Sequence, residues 1–405
     1  MSVIKKQILI NVYSPTDGSL IKIWTNASFD GFMKEINGGI GECIIQLAEP
    51  FDYGEKDLDI GNDVEIRICD RDTLADTTSG DRSRIIYRGY ISLIEREITG
   101  PKESIRVHLL GYYTRLGTDF LKNAEYTTLY SEPTAGLTIT YGDEDAADIG
   151  LMMRALLDRY IAETPNAKIS YDSEQIPDTA TTATYRFEQK TYREAMDSLK
   201  QMAPVGTFYY IDESGKVKFG VKPTIPTHKF FFGRHFNQVK VEQSLEKVRN
   251  FFLVWNGETG ADKVYKHYQD DESIANYGRR AEASNDYGID NSNAADKIGV
   301  KFIDENKDSI TKVICTIIDN NGDSDKGYDI ESIQPGDTCS FYGFDSDLAD
   351  IFRDNMLITQ VHYYLDRVEI EVEIVKSGLI DFQEKQGKEI GDIGTGGLLI
   401  PESYT

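Results

Sequence analysis

Apolar and acidic residues alternate strictly near the C-terminal end of the chain, over residues 368–375. This spacing places aliphatic side chains on one face of a strand and carboxylates on the other, as a half-buried antiparallel strand requires. Two further predicted strands precede it, at 338–342 and 356–364, and a Gln-Pro-Gly-Asp turn at 334–337 opens the unit. The pattern therefore predicts a three-strand antiparallel unit.

The same order of elements occurs earlier in the chain. A Gly-Asn-Asp turn at 61–63 leads into a strand at 64–69, a polar loop, a long strand at 85–94, a Gly-Pro turn and an alternating strand at 104–110. We interpret the two units as copies of one duplicated β module, although unrelated all-β proteins also show such runs. The positions predicted to form the module cores are Val64, Ile66, Ile91, Val107, Val361, Ile370, Val372 and Ile374.

The middle of the chain has a different pattern. Apolar residues at three- and four-residue spacing predict an amphipathic helix from Ile149 to Ile161. Acidic residues at 143–148 would stabilise the positive end of its dipole, and a metal site is the alternative explanation for them. A second helix is expected from Thr191, where Glu194 completes a capping box, and a hairpin follows it.

These patterns predict an α+β chain that is mainly β. Two tube-like antiparallel β-barrel or sandwich domains are separated by an α+β insert. The predicted parts are a first β domain at 1–113, the insert at 114–223, a second β domain with a helix and long loops at 224–382, and a flexible Gly-rich tail at 383–405.

The charge of the chain narrows the function classes. There are 44 basic and 68 acidic residues, and the net charge of −24 is spread along all 405 residues. Such a surface repels nucleic-acid phosphates and anionic membranes. No apolar run approaches the ~20 residues that a membrane span requires. The four cysteines lie far apart inside predicted strands and are expected to be buried free thiols.

Residue patterns typical of catalysis are missing from the sequence. The five histidines have no partner at metal-ligand spacing, and the motifs of zinc proteases, serine hydrolases and phosphate-binding loops do not occur. Oxygen ligands at calcium-like intervals occur at Asp319, Asn321, Asp323 and Asp325, but this loop departs from an EF-hand at its glycine and glutamate positions. We expect no enzymatic activity and no cofactor, with this loop as a weak candidate for a metal site.

Several stretches, taken in their order, resemble the tail-tip (baseplate) hub proteins of long-tailed bacteriophages, including the tail-associated hub domains of siphophages. The resemblance covers about residues 1–380, and the stretches that carry it are Arg84–Ile91, Tyr192–Met196, Phe208–Lys216, Val248–Val254, Glu272–Gly278, Ile333–Asp337 and Leu357–Val361. Many such hubs continue into a lytic or fibre region, whereas this sequence stops at Thr405, so the resemblance implies no wall-degrading activity.

The resemblance implies a structural function in the virion, after assembly in the host cytoplasm. A homotrimeric ring would close the distal end of the tail tube, adapt its six-fold symmetry to three-fold, and anchor tip proteins for ejection of the genome. The implied partners are the tail tube or distal tail protein, the tape-measure protein and a downstream tip or fibre protein. DNA would pass through the acidic lumen without specific binding.

Two long polar loops, at 70–83 and 257–291, are expected to contact neighbouring subunits or tail proteins. The residues chosen in them are Asp70, Asp81, Arg82, Tyr277, Arg279 and Asp286.

Two alternative functions fit the same composition. A carbohydrate-binding or receptor-binding tail protein would stack sugars on exposed aromatic residues such as Tyr53, Tyr87, Tyr90 and Tyr126. A cell-wall hydrolase would use a pair of carboxylates, and 68 acidic residues make such pairs unavoidable in any fold.

Overall fold

One sheet of 13 strands runs through both halves of the chain and is mostly antiparallel. The computed structural model describes residues 7–24, 27–47, 58–69, 84–99, 102–121, 147–164, 166–183, 185, 187, 190–256, 263–285, 289, 292–318, 328–344 and 355–374. Three smaller sheets of two or three strands lie outside the large one. The mainly-β α+β class is confirmed.

The elements follow one another in three groups. The first half contains β1 (Gln7–Tyr13), β2 (Leu20–Trp24), β3 (Ala27–Glu35), β4 (Ile40–Leu47), β5 (Asp63–Cys69), β6 (Arg84–Thr99), β7 (Lys102–Gly111) and α1 (Tyr113–Leu116). The middle contains β8 (Ala147–Asp148), α2 (Ile149–Glu163), β9 (Ser170–Tyr171), a 3-10 turn (Ser173–Gln175), β10 (Thr182–Ala183), α3 (Tyr192–Met202), β11 (Thr207–Ile211) and β12 (Lys216–Val221).

The remaining elements form the second half. They are β13 (His228–Phe231), β14 (Val239–Ser244), β15 (Phe251–Trp255), β16 (Tyr265–Gln269), α4 (Asp271–Tyr277), β17 (Ala281–Asn285), α5 (Ser292–Asn306), β18 (Ile310–Ile318), a 3-10 turn (Ile330–Ser332), β19 (Thr338–Tyr342), β20 (Met356–Tyr363) and β21 (Arg367–Ile374).

Two groups of strands within the large sheet pair in the same order. The first module, β3-β4-β7-β6-β5-β1, corresponds strand by strand to the second module, β14-β18-β21-β20-β19-β13. They differ at the last pair, because β1 is antiparallel to β5 whereas β13 is parallel to β19. This correspondence is the topology that the duplication hypothesis predicts.

The two modules also share local irregularities. A glycine with positive φ, Gly61 (94°) or Gly336 (89°), precedes β5 or β19. Its N–H donates to the carbonyl of Ile91 or Ile358, at 2.8 Å in both cases. A second irregularity follows directly after the same isoleucine. The register of β6 with β7 shifts after Ile91, and the register of β20 with β21 shifts after Ile358. Two separate strand pairs with the same turn and the same shift favour a common origin for the modules.

Matching rows of buried residues cross the two modules. In the first module Ile91, Leu109, Cys43 and Phe32 are neighbours on successive strands. In the second module the row is Ile358, Val372, Val313 and Val241. All but Val241 are at most 1% exposed, and Val241 is half-buried because its strand forms the end of the sheet.

The two modules belong to one hydrogen-bonded sheet, because β20 of the second module pairs directly with β3 of the first. One continuous core therefore spans both halves of the chain. The predicted core residues Val64, Ile66, Ile91, Val107, Val361, Ile370 and Val372 lie in it, at most 1% exposed. Ile374 ends β21, and its side chain is outside the described set.

A second core joins the insert to part of the second half. Residues of α2 and α3 pack with β15 and α5, so the segment from about 250 to 303 shares the core of the insert. The division of the chain with a boundary at residue 223 stays a prediction, and this shared core was not part of it. The sequence of this mostly polar segment did not predict the shared core, since only a few of its apolar side chains, such as Phe252, Val254 and Ile298, contact the insert.

The two predicted helices of the insert begin where capping chemistry places them. The side chain of Asp148 accepts hydrogen bonds from the N–H groups of Gly150 and Leu151 at the start of α2. Thr191 and Glu194 form the reciprocal capping box of α3. The other predicted acids, at 143–145, lie outside the described residues.

The thiols of Cys43, Cys315 and Cys339 are free and buried, as expected. The side chain of Cys69 is outside the described set.

The equivalent turns before β5 and β19 give a matched test of backbone and packing strain. A Cβ added at Gly336 would lie 2.2 Å from the Phe208 ring, whereas a Cβ added at Gly61 meets nothing within 4 Å. Both glycines have positive φ, so Gly61→Ala is expected to cost about 1–2 kcal/mol of unfolding free energy. Gly336→Ala should cost about 1–3 kcal/mol more because it also overpacks the insert against the second module. Urea denaturation measures the unfolding free energy of both variants. Equal losses would contradict the close packing of Phe208 against Gly336.

Candidate functional site

The tip of the β3–β4 hairpin lies where the first module, the insert and the second module meet. The N–H of Ile36 donates to Thr359 of β20 at 3.0 Å, and the N–H of Asn37 donates to Tyr209 of β11 at 2.7 Å. The N–H of Ile211 in turn donates to the carbonyl of Gly38 at 3.2 Å. Backbone hydrogen bonds therefore tie this one hairpin to both other parts of the chain.

A single buried ammonium group lies at the same junction. The side chain of Lys34 on β3 is 2% exposed, and its Nζ donates to Glu213 Oε2 at 3.0 Å and to Gln334 Oε1 at 3.1 Å. The hydroxyl of Tyr210 also donates to Gln334 Oε1, at 2.9 Å. The two acceptors come from the insert and from the turn before β19, so one cation joins all three parts.

The surroundings of this ion pair shift the pKa values of both partners. Burial lowers the pKa of Lys34, against the opposing effect of the Glu213 carboxylate. Burial alone would raise the pKa of Glu213, but the adjacent Lys34 outweighs it and the net pKa is lowered. Lys34 also lies 5.9 and 5.7 Å from the ring centroids of Phe32 and Tyr363.

Side chains reinforce the pairing of β3 with β20. The rings of Phe32 and Tyr363, which are opposite residues of the two strands, stack at 5.3 Å between centroids. Nη1 of Arg84, at the start of β6, donates to both carboxylate oxygens of Asp329 in the second half, at 2.8 and 2.7 Å. The two modules are thus held in one relative orientation by apolar and ionic contacts.

A polar cavity of about 480 Å³ separates the first module from the insert. Two buried acids line it, and each is paired with bases: Asp63 with Lys168 at 3.0 Å, and Glu65 with Arg88 at 2.6 Å and Arg67 at 2.5 Å. Glu65, Arg67 and Arg88 all belong to the first module, so the Asp63–Lys168 pair is the one of these contacts that joins the sheet to the insert. Among the described residues no cluster of three or more His, Cys, Asp or Glu side chains has the arrangement of a metal site.

The loop residues chosen from the sequence are only partly described. Tyr277 ends α4, and the guanidinium of Arg279 lies 3.7 Å from the centroid of the Phe251 ring. Asp70, Asp81, Arg82 and Asp286 lie outside the described residues, and so do the metal candidates Asp319, Asn321, Asp323 and Asp325. The subunit contacts assigned to these loops remain a prediction.

Of the aromatic residues of the sugar-binding alternative, the structure describes Tyr87 and Tyr90. Tyr87 is fully buried, with its hydroxyl donating to the carbonyl of Gly41 at 3.1 Å. The sugar-binding alternative requires this ring to be exposed, whereas it faces the core and packs edge-on against Phe32. Tyr90 is half-buried against Tyr112 and Arg115, and Tyr53 and Tyr126 lie outside the described residues.

Sequence reasoning missed Lys34. The available signal was a lysine two residues after Phe32, since in a strand both side chains would lie on one face and a buried charge there needs a partner. That partner is 179 residues away in the chain, so no local pattern identifies it.

The Lys34–Glu213 pair gives an asymmetric mutational prediction. Glu213→Gln leaves the 2% exposed Lys34 without a counter-charge and should lower the unfolding free energy by about 3 kcal/mol. Lys34→Met should cost only about 1 kcal/mol, because Met fills the apolar channel and the 24% exposed Glu213 retains access to water. Urea denaturation of the two variants measures the difference, and an equal or reversed order would contradict the burial argument.

The same carboxylate predicts a pH dependence. The pKa of Glu213 is lowered on folding from its ordinary value of 4.5, so its stabilisation is present above pH 4.5 and is lost as the pH falls through the folded pKa. The difference in unfolding free energy between the wild type and Glu213→Gln should be largest above pH 4.5, while Lys34 is protonated, and should shrink below that pH. A difference that does not change on acidification would show that the pKa of Glu213 is not lowered.

Comparisons with known proteins identify the fold. No family profile and no curated protein matches the sequence. The structure is similar to the 43 kDa tail protein of prophage MuSo2 from Shewanella oneidensis, with a TM-score of 0.56 and 11% identity over 91% of this chain and 98% of that one. It is also similar to the tail protein from Neisseria meningitidis MC58, with a TM-score of 0.55 and 12% identity over 91% and 96% of the two chains. No helix in the described residues is long and apolar enough to cross a membrane.

The two structural similarities show that the chain has a fold found in phage tail proteins.

Proposed function

We propose that this protein is a structural component of a phage tail, the hub at the tail tip. Three copies form a ring that closes the distal end of the tail tube, adapts six-fold to three-fold symmetry and anchors the tip proteins. The ring opens or widens when the phage engages its host. No chemical step is assigned to the protein.

The observation that carries this proposal is the presence of two modules with one topology in a single continuous sheet. A chain with two equivalent modules contributes two similar surfaces, so three chains around a three-fold axis present six. A six-fold tube can dock on such a ring, while the insert and the loops, which occur once per chain, present three copies to the tip. The shared fold with two tail proteins supports the same assignment.

The rigid connection between the modules supports a load-bearing ring. Backbone pairing of β3 with β20, the buried Lys34 and the Arg84–Asp329 pair hold the two modules together. A ring of such protomers would keep its shape while the genome is held behind it. The net charge of −24 would repel DNA phosphates during ejection.

The proposed partners are the tail tube or distal tail protein, the tape-measure protein and a downstream tip or fibre protein. The proposed contacts are Tyr277 and Arg279, which lie where α4 ends and before β17, together with residues 70–83. A sugar-binding function is not favoured, because Tyr87 is in the core.

Native mass spectrometry of the purified full-length chain tests the ring. The expected species is a trimer that associates with purified tail tubes. A chain that stays monomeric and fails to join tail tubes would contradict the proposed function.

A further inference from the structure

We propose that the distal half of β6 in one copy pairs antiparallel with β14 of a second copy of this chain. The register is the one that β20 and β3 adopt within the chain. This inference rests on the proposed ring, for which it supplies the contact between subunits.

The chain contains the template for this contact. The first part of β20 pairs with β19, at Met356 and Leu357, and its second part, Gln360–Tyr363, pairs with Glu35–Phe32 of β3. One strand of the second module thus changes partner along its length, from its own module to the other. The other edge of β20 pairs with β21 throughout.

The equivalent strand of the first module lacks the second partner. β6 pairs with β5 only through Arg84–Tyr90, and the Gly61–Asn62 turn bonds to Ile91. Beyond Ile91 no strand in the described part of the chain pairs with this edge of β6, although its other edge continues along β7 to Thr99. Leu93, in this segment, is 46% exposed.

The equivalent of β3 also has a free edge. β14 corresponds to β3 and pairs with β18 only, so it ends the sheet among the described residues. The side chains of Lys240 and Glu242 on it are 63% and 41% exposed. Among the described residues each module therefore has one half of such a junction without its partner strand, and the two halves are complementary. A long unpaired edge favours pairing with another chain.

The buried rows of the two modules fix the register between copies. Val241 corresponds to Phe32, because both end the buried row of their module. Arg96 corresponds to Tyr363, because Arg96 lies five residues after Ile91 and Tyr363 lies five residues after Ile358. Transfer of the β20–β3 register then places four residue pairs opposite one another. They are Leu93 with Ser244, Ile94 with Gln243, Glu95 with Glu242, and Arg96 with Val241.

The chemistry of the two edges is compatible with this register. Ile94 and Val241 both pack on the sheet core from its margin, so pairing would extend that core across the contact. On the opposite face Glu97 would oppose Lys240. The like-charged Glu95 and Glu242 each have a basic neighbour already, His108 at 3.3 Å and Lys240 respectively.

The symmetry of the contact leads to a closed ring. β6 and β14 are different surfaces, so each copy offers one half of the contact to each of two neighbours. A heterologous contact of this kind closes into a ring when its rotation matches that of the internal β20–β3 junction. Equivalent contacts within and between chains would then alternate around the ring.

Engineered disulfides test the register in the full-length protein. Glu95→Cys combined with Glu242→Cys should give covalent oligomers on a non-reducing gel after mild oxidation. Met33→Cys combined with His362→Cys is the matched control, because these positions are opposite in the internal template and should cross-link within one chain. Glu97→Cys combined with Ser244→Cys is the off-register control, about 13 Å out of step, and should give no oligomer.

The outcomes separate this inference from the proposed function. Oligomers linked through positions 95 and 242, and not through 97 and 244, support the pairing. A native trimer in which the internal pair cross-links but 95 and 242 do not would overturn the inference and leave the ring intact. Equal cross-linking by both pairs would also overturn the register, whereas a chain that is monomeric at all concentrations and gives no covalent oligomer would contradict the ring itself.

Discussion

The structure depends on β3 having partners on both edges. It pairs with β4 in its own module and with β20 of the other module, so the two halves of the chain form one sheet with one core. The register is fixed by burial, because a shift of one residue would move Phe32 out of the core and turn Lys34 away from Glu213 and Gln334. An unpaired buried cation is costly, so the ion pair stabilises the observed register and disfavours registers shifted by one residue. The β3–β4 hairpin also carries the backbone hydrogen bonds to the insert, which places the third part of the chain relative to the sheet.

Local sequence signals were sufficient for most individual elements. Strict alternation identified β21, and helical spacing together with the acidic residues before α2 and the Thr191–Glu194 capping box identified α2 and α3. The Gly-Asn-Asp and Gly-Asp turns located the start of equivalent strands, because a glycine with positive φ is required there. Each of these signals lies within a few residues of the structure it specifies.

Contacts between distant segments were beyond such signals. The pairing of β3 with β20 joins residues more than 300 positions apart, and both strands show an ordinary half-buried pattern that fits many partners. The parallel pairing of β13 with β19 and the packing of β15 and α5 against the insert are of the same kind. At the junction, Lys34 was visible only as an isolated charge on an apolar face, and its function became clear from partners in two other parts of the fold. The burial of Tyr87 was also beyond local signals, because an aromatic residue in a strand can lie on either face of a sheet.

The account treats the chain as two equivalent units joined rigidly, from which a symmetric ring follows. Cryo-electron microscopy of the assembled protein tests this most directly, through the rotation that relates the two modules of one protomer about the axis of the assembly. The account predicts a three-fold ring in which that rotation is about 60°, so that six modules are evenly spaced. A ring in which the two modules lie at different radii, or are related by a rotation far from this value, would contradict it.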